Sequence, residues 1–309
     1  DTASCHWKVT GQGVTITAAS GYNSRACKYY RYWLGHAELA SHIRRSEEWN
    51  WLMVRIGENG LPQWDYPTYD RGEKVALFIP CYIDQFYPQI AEATAEILHR
   101  LGIPLVFPEE QTCCGQPAFN SGYWEEARRV IRHFAKVFRP YRYIVCPSGS
   151  CSAMCRVFFG QADPDPATTE VGSRVFELTE FLVNILGVTD LGARFPHKVT
   201  MHSGCHGRRE LGIFDQPISL LKNVKDLVYC ELPNIEECCG FGGTFSVKMP
   251  GTSIAMGETK AANILRSGAD VVTSVDISCL MHVGGIMRRK PEMRHIRVMH
   301  IAEILNTRG

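Results

Sequence analysis

From Lys74 onward the chain alternates between two rhythms. Apolar runs of strand length, such as "KVALFIP" and "YRYIVCP", are separated by stretches in which apolar residues return every three or four positions. The pattern predicts a buried strand at 74–80, a helix at 84–101 closed by Gly102, a strand at 103–108, a helix at 124–138 and a strand at 141–147. The proline-rich, acidic stretch 163–169 reads as a loop, followed by a helix at 176–186. The order then restarts with a strand at 197–203, helical turns to 224 and a strand at 226–233. A helix at 253–267, a strand at 269–275, a helix from Cys279 and a strand at 296–300 complete it. Strands alternating with helices predict an α/β fold with parallel sheets.

The first 73 residues lack this periodicity and hold five of the six tryptophans: Trp7, Trp33, Trp49, Trp51 and Trp64. The chain begins at Asp1. Residues 1–73 are therefore expected to be an N-terminal extension of uncertain structure, either accessory or outside the natural reading frame, with the functional domains starting near Lys74.

Cysteine spacing divides the remainder in two. Cys81, Cys113–Cys114 and Cys151 recur as Cys205, Cys238–Cys239 and Cys279, each roughly 125 residues further on. A repeat of this length predicts duplicated α/β cysteine-rich domains at 74–170 and 171–309. The first half reads Cys81-x31-Cys113-Cys114-Gly115-x35-Cys151, with Cys155 beyond, and the second reads Cys205-x32-Cys238-Cys239-Gly240-x38-Cys279, with His282 beyond.

Composition narrows what these cysteines do. A net charge of +1 gives no basic field for nucleic acid, and no apolar run reaches the roughly 20 residues of a membrane span. The N-terminus lacks the apolar segment of a secretory signal, so a cytoplasmic location is expected. Thirteen cysteines are an odd number, and a reducing compartment does not keep a disulfide framework. Cys5, Cys27 and Cys230 fall outside the pattern and read as buried thiols, as does Cys146 at a strand end.

The patterned cysteines all follow a predicted strand or open a helix, and the carboxyl ends of parallel strands share one edge, where ligands bind. Helix N-termini and glycine-flanked turns direct N–H groups there and favour thiolate, the metal-binding form. Adjacent cysteines suit a tetrahedral zinc site poorly but suit a group of several metal atoms. Soft sulfur ligands in this number favour iron–sulfur clusters, with zinc as the competitor.

The double occurrence of Cys…Cys-Cys-Gly…Cys resembles the CCG cysteine-rich domain family, which includes the cysteine-rich subunit of heterodisulfide reductase and the iron–sulfur subunit of glycolate oxidase. The segments "KVALFIPCYIDQFYPQ", "TCCGQPAFNSG", "CPSGSCSAM", "ECCGFGGTFSVK" and "SCLMHVGG" are similar to the lactate utilization protein A family within it. That resemblance covers most of 74–309 and implies 4Fe-4S clusters of the noncubane type. It carries ligand roles onto Cys81, Cys113, Cys114 and Cys151, and onto Cys205, Cys238, Cys239 and Cys279. It also implies participation in oxidation of L-lactate to pyruvate with companion iron–sulfur proteins. The last cysteine of each family motif differs: Ala153 or Met154 stands there in the first half with Cys155 just past it, and His282 stands there in the second. Cys155 and His282 are thus candidate ligands, and a simpler cluster or zinc in one half stays open.

His202 and His206 flank Cys205 and are candidates for touching the cofactor or moving protons. Arg208, with Arg209, is a candidate anchor for a hydroxy-acid carboxylate. "GFGGTFS" lacks the spacing of a nucleotide-binding loop, and no flavin or nicotinamide motif is evident. The leading expectation is an iron–sulfur redox subunit, with L-lactate bound here or on a partner. A thiol/disulfide redox subunit and a zinc-clamped interaction subunit are the alternatives.

Overall fold

The computed structural model describes residues 54–308, together with the backbone of two strands, β1 (His6–Thr10) and β2 (Gly13–Thr17), which pair antiparallel. Cys5, Cys27, Trp33, Trp49 and Trp51 lie outside the described residues. The chain divides into two units, Asp1–Met53 and Val54–Gly309.

The larger unit opens with a short antiparallel hairpin, β3 (Val54–Ile56) and β4 (Pro62–Trp64). Two four-stranded parallel sheets follow. The first contains β5 (Val75–Leu77), β6 (Leu105–Val106), β7 (Tyr143–Cys146) and β8 (Val175–Glu177), arranged β6-β5-β7-β8. The second contains β9 (Lys198–Met201), β10 (Val228–Cys230), β11 (Val271–Ser274) and β12 (Arg297–His300), arranged β10-β9-β11-β12. The identical order is the structural form of the duplication. In both sheets the order reverses between the first and third strands, which creates a crevice at their carboxyl ends. β5 and β7 are buried along their length, as parallel strands covered on both faces must be.

Local sequence explains most of the helices. The helix expected at 124–138 coincides with Trp124–Phe138, whose buried residues Ala127, Ile131, Phe134, Ala135 and Phe138 form one stripe. The expected helix at 84–101 is two helices, Cys81–Phe86 and Pro88–Arg100, because Pro88 cannot continue a helix and instead starts a new one. The expected loop at 163–169 is a correction: Pro166–Ser173 is helical, with Asp165 accepting from Ala167 N at 2.9 Å. Asp followed by Pro is a helix start as well as a turn signal. Asp163 is buried and receives Arg132 Nε and Nη2 at 2.9 and 3.1 Å. The switch from the first sheet to the second falls between Glu177 and Lys198.

Residues 54–73 pack onto both halves, Trp64 lying against Ala153, Leu211 and Ile213. Tyr66 Oη donates to Glu180 Oε1 at 2.7 Å, and Tyr143 Oη donates to Thr68 O at 2.9 Å. Arg156 is buried against Glu180, with Nη1–Oε1 at 2.7 Å and Nη2–Oε2 at 2.5 Å, and its guanidinium lies 5.1 Å over the Trp64 ring. Two hydrogen bonds from Arg156 to Val175 O complete the compensation a buried ion pair needs.

Candidate metal centre

Each patterned cysteine sits at the carboxyl end of a strand. Cys81 opens the helix Cys81–Phe86 after β5, and Cys151 lies in the helix Gly149–Ala153 after β7. In the second half Cys205 opens the helix Cys205–Leu211 after β9, and Cys279 lies in the helix Ile277–Met287 after β11. These strand pairs flank the two switch points. The vicinal pairs reach the same edge through loops after β6 and β10. Gln111 braces the first of these loops: its Oε1 accepts from Ile79 N at 2.7 Å, and its Nε2 donates to Leu77 O at 3.1 Å.

Cys81 Sγ lies 3.8 Å from Cys113 Sγ, and Cys114 Sγ lies 3.5 Å from Cys151 Sγ. The same pairings, Cys205 with Cys238 and Cys239 with Cys279, occur in the second half. Sulfurs bound at about 2.3 Å to one tetrahedral metal stand roughly 3.8 Å apart, so these separations fit metal-bound thiolates. All eight cysteines line a single cavity of about 210 Å³, between the halves of this unit. A water molecule occupies about 30 Å³ of liquid, so the space exceeds the need of one ion and suits a larger group.

Gly115 and Gly240 shape the vicinal turns, with φ of 83° and 85°, a region L-residues rarely adopt. Gly115 N then lies 3.4 Å from Cys113 Sγ and Gly240 N 3.4 Å from Cys238 Sγ, while Phe241 N lies 3.5 Å from Cys239 Sγ. Hydrogen bonds from the Cys114 and Cys81 thiols, aided by Gly115 N–H, hold the Cys113 thiol well below its ordinary range. Donation from Cys205 and Cys239 does the same for Cys238. The donors move the other way: bonding to Cys113 and burial push Cys81 up, and the same interaction with Cys238 pushes up Cys205. Each half therefore favours thiolate at the first cysteine of its vicinal pair and disfavours it at the cysteine that opens the motif.

The two halves are joined at the site by a carboxylate. Asp276 precedes the helix that carries Cys279, at the place Ser148 takes before the helix that carries Cys151. Asp276 turns away from its own helix. Its Oδ1 accepts from Ser148 Oγ at 2.9 Å and Ser150 Oγ at 2.8 Å, and Ser150 N lies 3.1 Å from both carboxylate oxygens. Ser148 Oγ in turn accepts from Cys151 N at 3.4 Å. The helices cross so closely that a Cβ on Gly149 would lie 3.1 Å from Gly207 Cα. Spacing within one half holds no signal for this link, although aligning "CPSGSC" on "SVDISC" puts Asp276 opposite Ser148.

The other candidates are distributed differently. His206 lines the cavity. His202 does not line it but is buried behind it; its ligand atom and the Cys239 and Cys279 sulfurs lie within 4.8 Å of one another. Burial, with Lys260 nearby, pushes the His202 imidazole down to about 3. His282 Nε2 faces Ser253, 3.3 Å from its carbonyl and 3.4 Å from its hydroxyl, and the ring is not among the cavity residues. Cys155 and Cys146 are buried in the first core with Phe78, Phe134 and Phe159. Arg208 stacks over Phe214 at 4.4 Å and approaches Glu236 at 3.7 Å, outside the cavity lining, and Arg209 is exposed. Lys260 carries no motif signal, yet its side chain is fully buried and donates to Asn234 O at 2.7 Å; its place in the apolar stripe of the helix Pro250–Arg266 is the feature by which sequence could reveal it.

The pattern of the CCG cysteine-rich domain matches this chain twice, at residues 75–156 and 199–284. The chain belongs to the lactate utilization protein A family. It is 48% identical to lactate utilization protein A of Exiguobacterium sp. over 75% of this chain and 96% of that protein. It is 44% identical to the Bacillus subtilis protein of the same name, over 76% of this chain and all of that one. In fold it is similar to a hypothetical protein from Helicobacter pylori, with a TM-score of 0.52 at 8% identity over 88% of this chain and 53% of the other. Among the described residues, no helix is long and apolar enough to cross a membrane.

Proposed function

We propose that this chain is an iron–sulfur redox subunit that takes part in oxidation of L-lactate to pyruvate and passes electrons to companion iron–sulfur proteins. The observation that carries the reading is the convergence of eight cysteines on one cavity at the carboxyl ends of two like sheets. Cys81, Cys113, Cys114 and Cys151 would hold one centre, and Cys205, Cys238, Cys239 and Cys279 the other. Clusters of 4Fe-4S type held there supply one-electron storage. Oxidation of a 2-hydroxy acid to a 2-oxo acid releases two electrons and two protons, and two adjoining one-electron stores match that number. The shared name of the curated relatives supports the link to lactate.

The protein's own contribution is to gather and prepare the sulfurs. Gly115 and Gly240 aim N–H groups at Cys113 and Cys238, so thiolate is available before metal arrives. Asp276 fixes the helix of Cys151 against the second half and keeps both sets at one distance.

The test is iron, zinc and acid-labile sulfide on the anaerobically purified chain, with EPR before and after dithionite. Iron and sulfide in similar amounts, with signals lost separately in Cys113→Ser and Cys238→Ser, support the reading. Zinc without sulfide, and no reducible signal, would sink it. A second reading, zinc in the second half, is favoured by the grouping of His202 with Cys239 and Cys279, a nitrogen–sulfur set of the kind zinc takes.

A further inference from the structure

The duplicated halves differ at one pair of core positions behind the cysteines. The buried stripe Ala127, Ile131, Phe134, Ala135 and Phe138 of the first half recurs 126 residues later as Ser253, Gly257, Lys260, Ala261 and Ile264, all buried. The position of Phe78, just after β5 and three residues before Cys81, recurs as His202, just after β9 and three residues before Cys205. In the first half these positions hold an aromatic pair, Phe78 edge-on to Phe134 with ring centroids 4.8 Å apart. The second half places a histidine and a lysine there instead.

Neither replacement suits an apolar core. Both ring nitrogens of His202 are buried with no hydrogen-bond partner among the described residues. Lys260 is buried with one hydrogen bond, to Asn234 O at 2.7 Å; burial lowers its pKa, opposed by Glu237 and by the Cys239, Cys238 and Cys279 sulfurs nearby. Buried imidazole nitrogens and a buried ammonium are retained where something compensates them. The sulfurs of the second set are placed to do so, since the His202 nitrogen and the Cys239 and Cys279 sulfurs all lie within 4.8 Å of one another.

We infer that His202 is a nitrogen ligand of the second centre beside Cys239 and Cys279, with Lys260 as its buried counter-charge, whereas the first centre is held by sulfur alone against an aromatic wall. This rests on the iron–sulfur reading above. Lys260 adds a positive charge behind the second centre that the first centre lacks, and a nearby cation favours the reduced state, so the second centre has the higher reduction potential and is where electrons come to rest. His282, despite its place three residues after Cys279, serves the packing of Ser253.

The experiment is pulsed EPR of the reduced full-length chain, made with natural and with ¹⁵N-labelled histidine, combined with redox titration. The wild type is expected to show a histidine nitrogen coupling on one of two centres, the one of higher potential. The coupling should vanish in His202→Phe and His202→Cys while iron is retained in His202→Cys, and it should persist in His282→Phe. Lys260→Met should lower the potential of the coupled centre and leave the other unchanged. Two centres without nitrogen coupling in the wild type would overturn the assignment while leaving the redox reading intact, and this outcome does not depend on any variant folding. Coupling that survives His202→Cys, or disappears in His282→Phe, would overturn it as well. An unmoved potential in Lys260→Met would remove the counter-charge. Absence of iron from both sets would overturn the redox reading and this inference together.

Discussion

Asp276 of the second half accepts a hydrogen bond from Ser148 of the first at 2.9 Å, and Ser148 accepts one from the backbone N–H of Cys151. One carboxylate thus ties the N-terminus of a cysteine-bearing helix in one half to the cysteine-bearing helix of the other. Asp276→Ala leaves Ser148, Ser150 Oγ and Ser150 N without their buried acceptor, which costs about 1–3 kcal/mol for each group stranded. The expected result is a chain destabilised by at least about 3 kcal/mol in urea unfolding, with metal lost from the Cys151 set as well as from the Cys279 set. Loss confined to the second set would show that the link does not position Cys151.

Gly240 and Gly115 share a conformation but not surroundings. A Cβ on Gly240 would stand 2.5 Å from Ser253 O and 2.8 Å from Met256 Cβ, whereas on Gly115 the nearest atom is 3.5 Å away. Gly115→Ala should cost about 1–2 kcal/mol, the strain of a positive φ alone. Gly240→Ala should cost clearly more and empty the second set of metal. Equal melting temperatures for the two variants would contradict this.

Metal uptake should strengthen as pH rises. Hydrogen bonds to Cys113 and Cys151, together with burial, push the Cys114 thiol up, and Cys81 and Cys205 are raised by similar interactions. These thiols must lose their protons to bind, so competition with a chelator between about pH 6 and pH 8 should show affinity rising with pH. A flat profile would mean that the thiolates are already formed.

Glu177, the strand partner of Cys146, gives a pH dependence of stability apart from the patterned cysteines. Burial pushes its carboxyl up to about 8, against hydrogen bonds from Thr179 and Glu180 N. Between its ordinary value of 4.5 and about 8, the folded chain holds a proton that the unfolded chain has released. Its contribution is therefore complete below the lower value and is lost as pH rises, by on the order of a few kcal/mol. Glu177→Gln should flatten that part of the denaturation profile; an unchanged slope would assign it to another group.

Tyr66 tests whether residues 54–73 belong to the folded body. Its hydroxyl donates to Glu180, the partner of buried Arg156. Tyr66→Phe should destabilise the first half by about 1–2 kcal/mol, read by chemical denaturation. No effect would mean that this segment is only draped on the surface.

The alternation of strands and helices (except β8, Val175–Glu177, which falls at the start of the helix expected at 176–186), the duplication, and the arrival of three cysteine segments per half at strand ends are all written in the order of the residues. These follow from short-range physics: side-chain periodicity is local, and parallel strands joined by helices carry their carboxyl ends to one edge. Even the exceptions are local, as at 163–169, where an aspartate before a proline resembles a turn and starts a helix. Long-range packing settles the rest. It brings both cysteine sets to one cavity, turns Asp276 away from its own helix, sets His202 rather than His282 against Cys239 and Cys279, and buries Lys260 where the first half has phenylalanine. Each of these depends on contacts between residues far apart in the chain, and a hydrogen bond or a ligand set formed across such distances leaves no spacing in either segment alone.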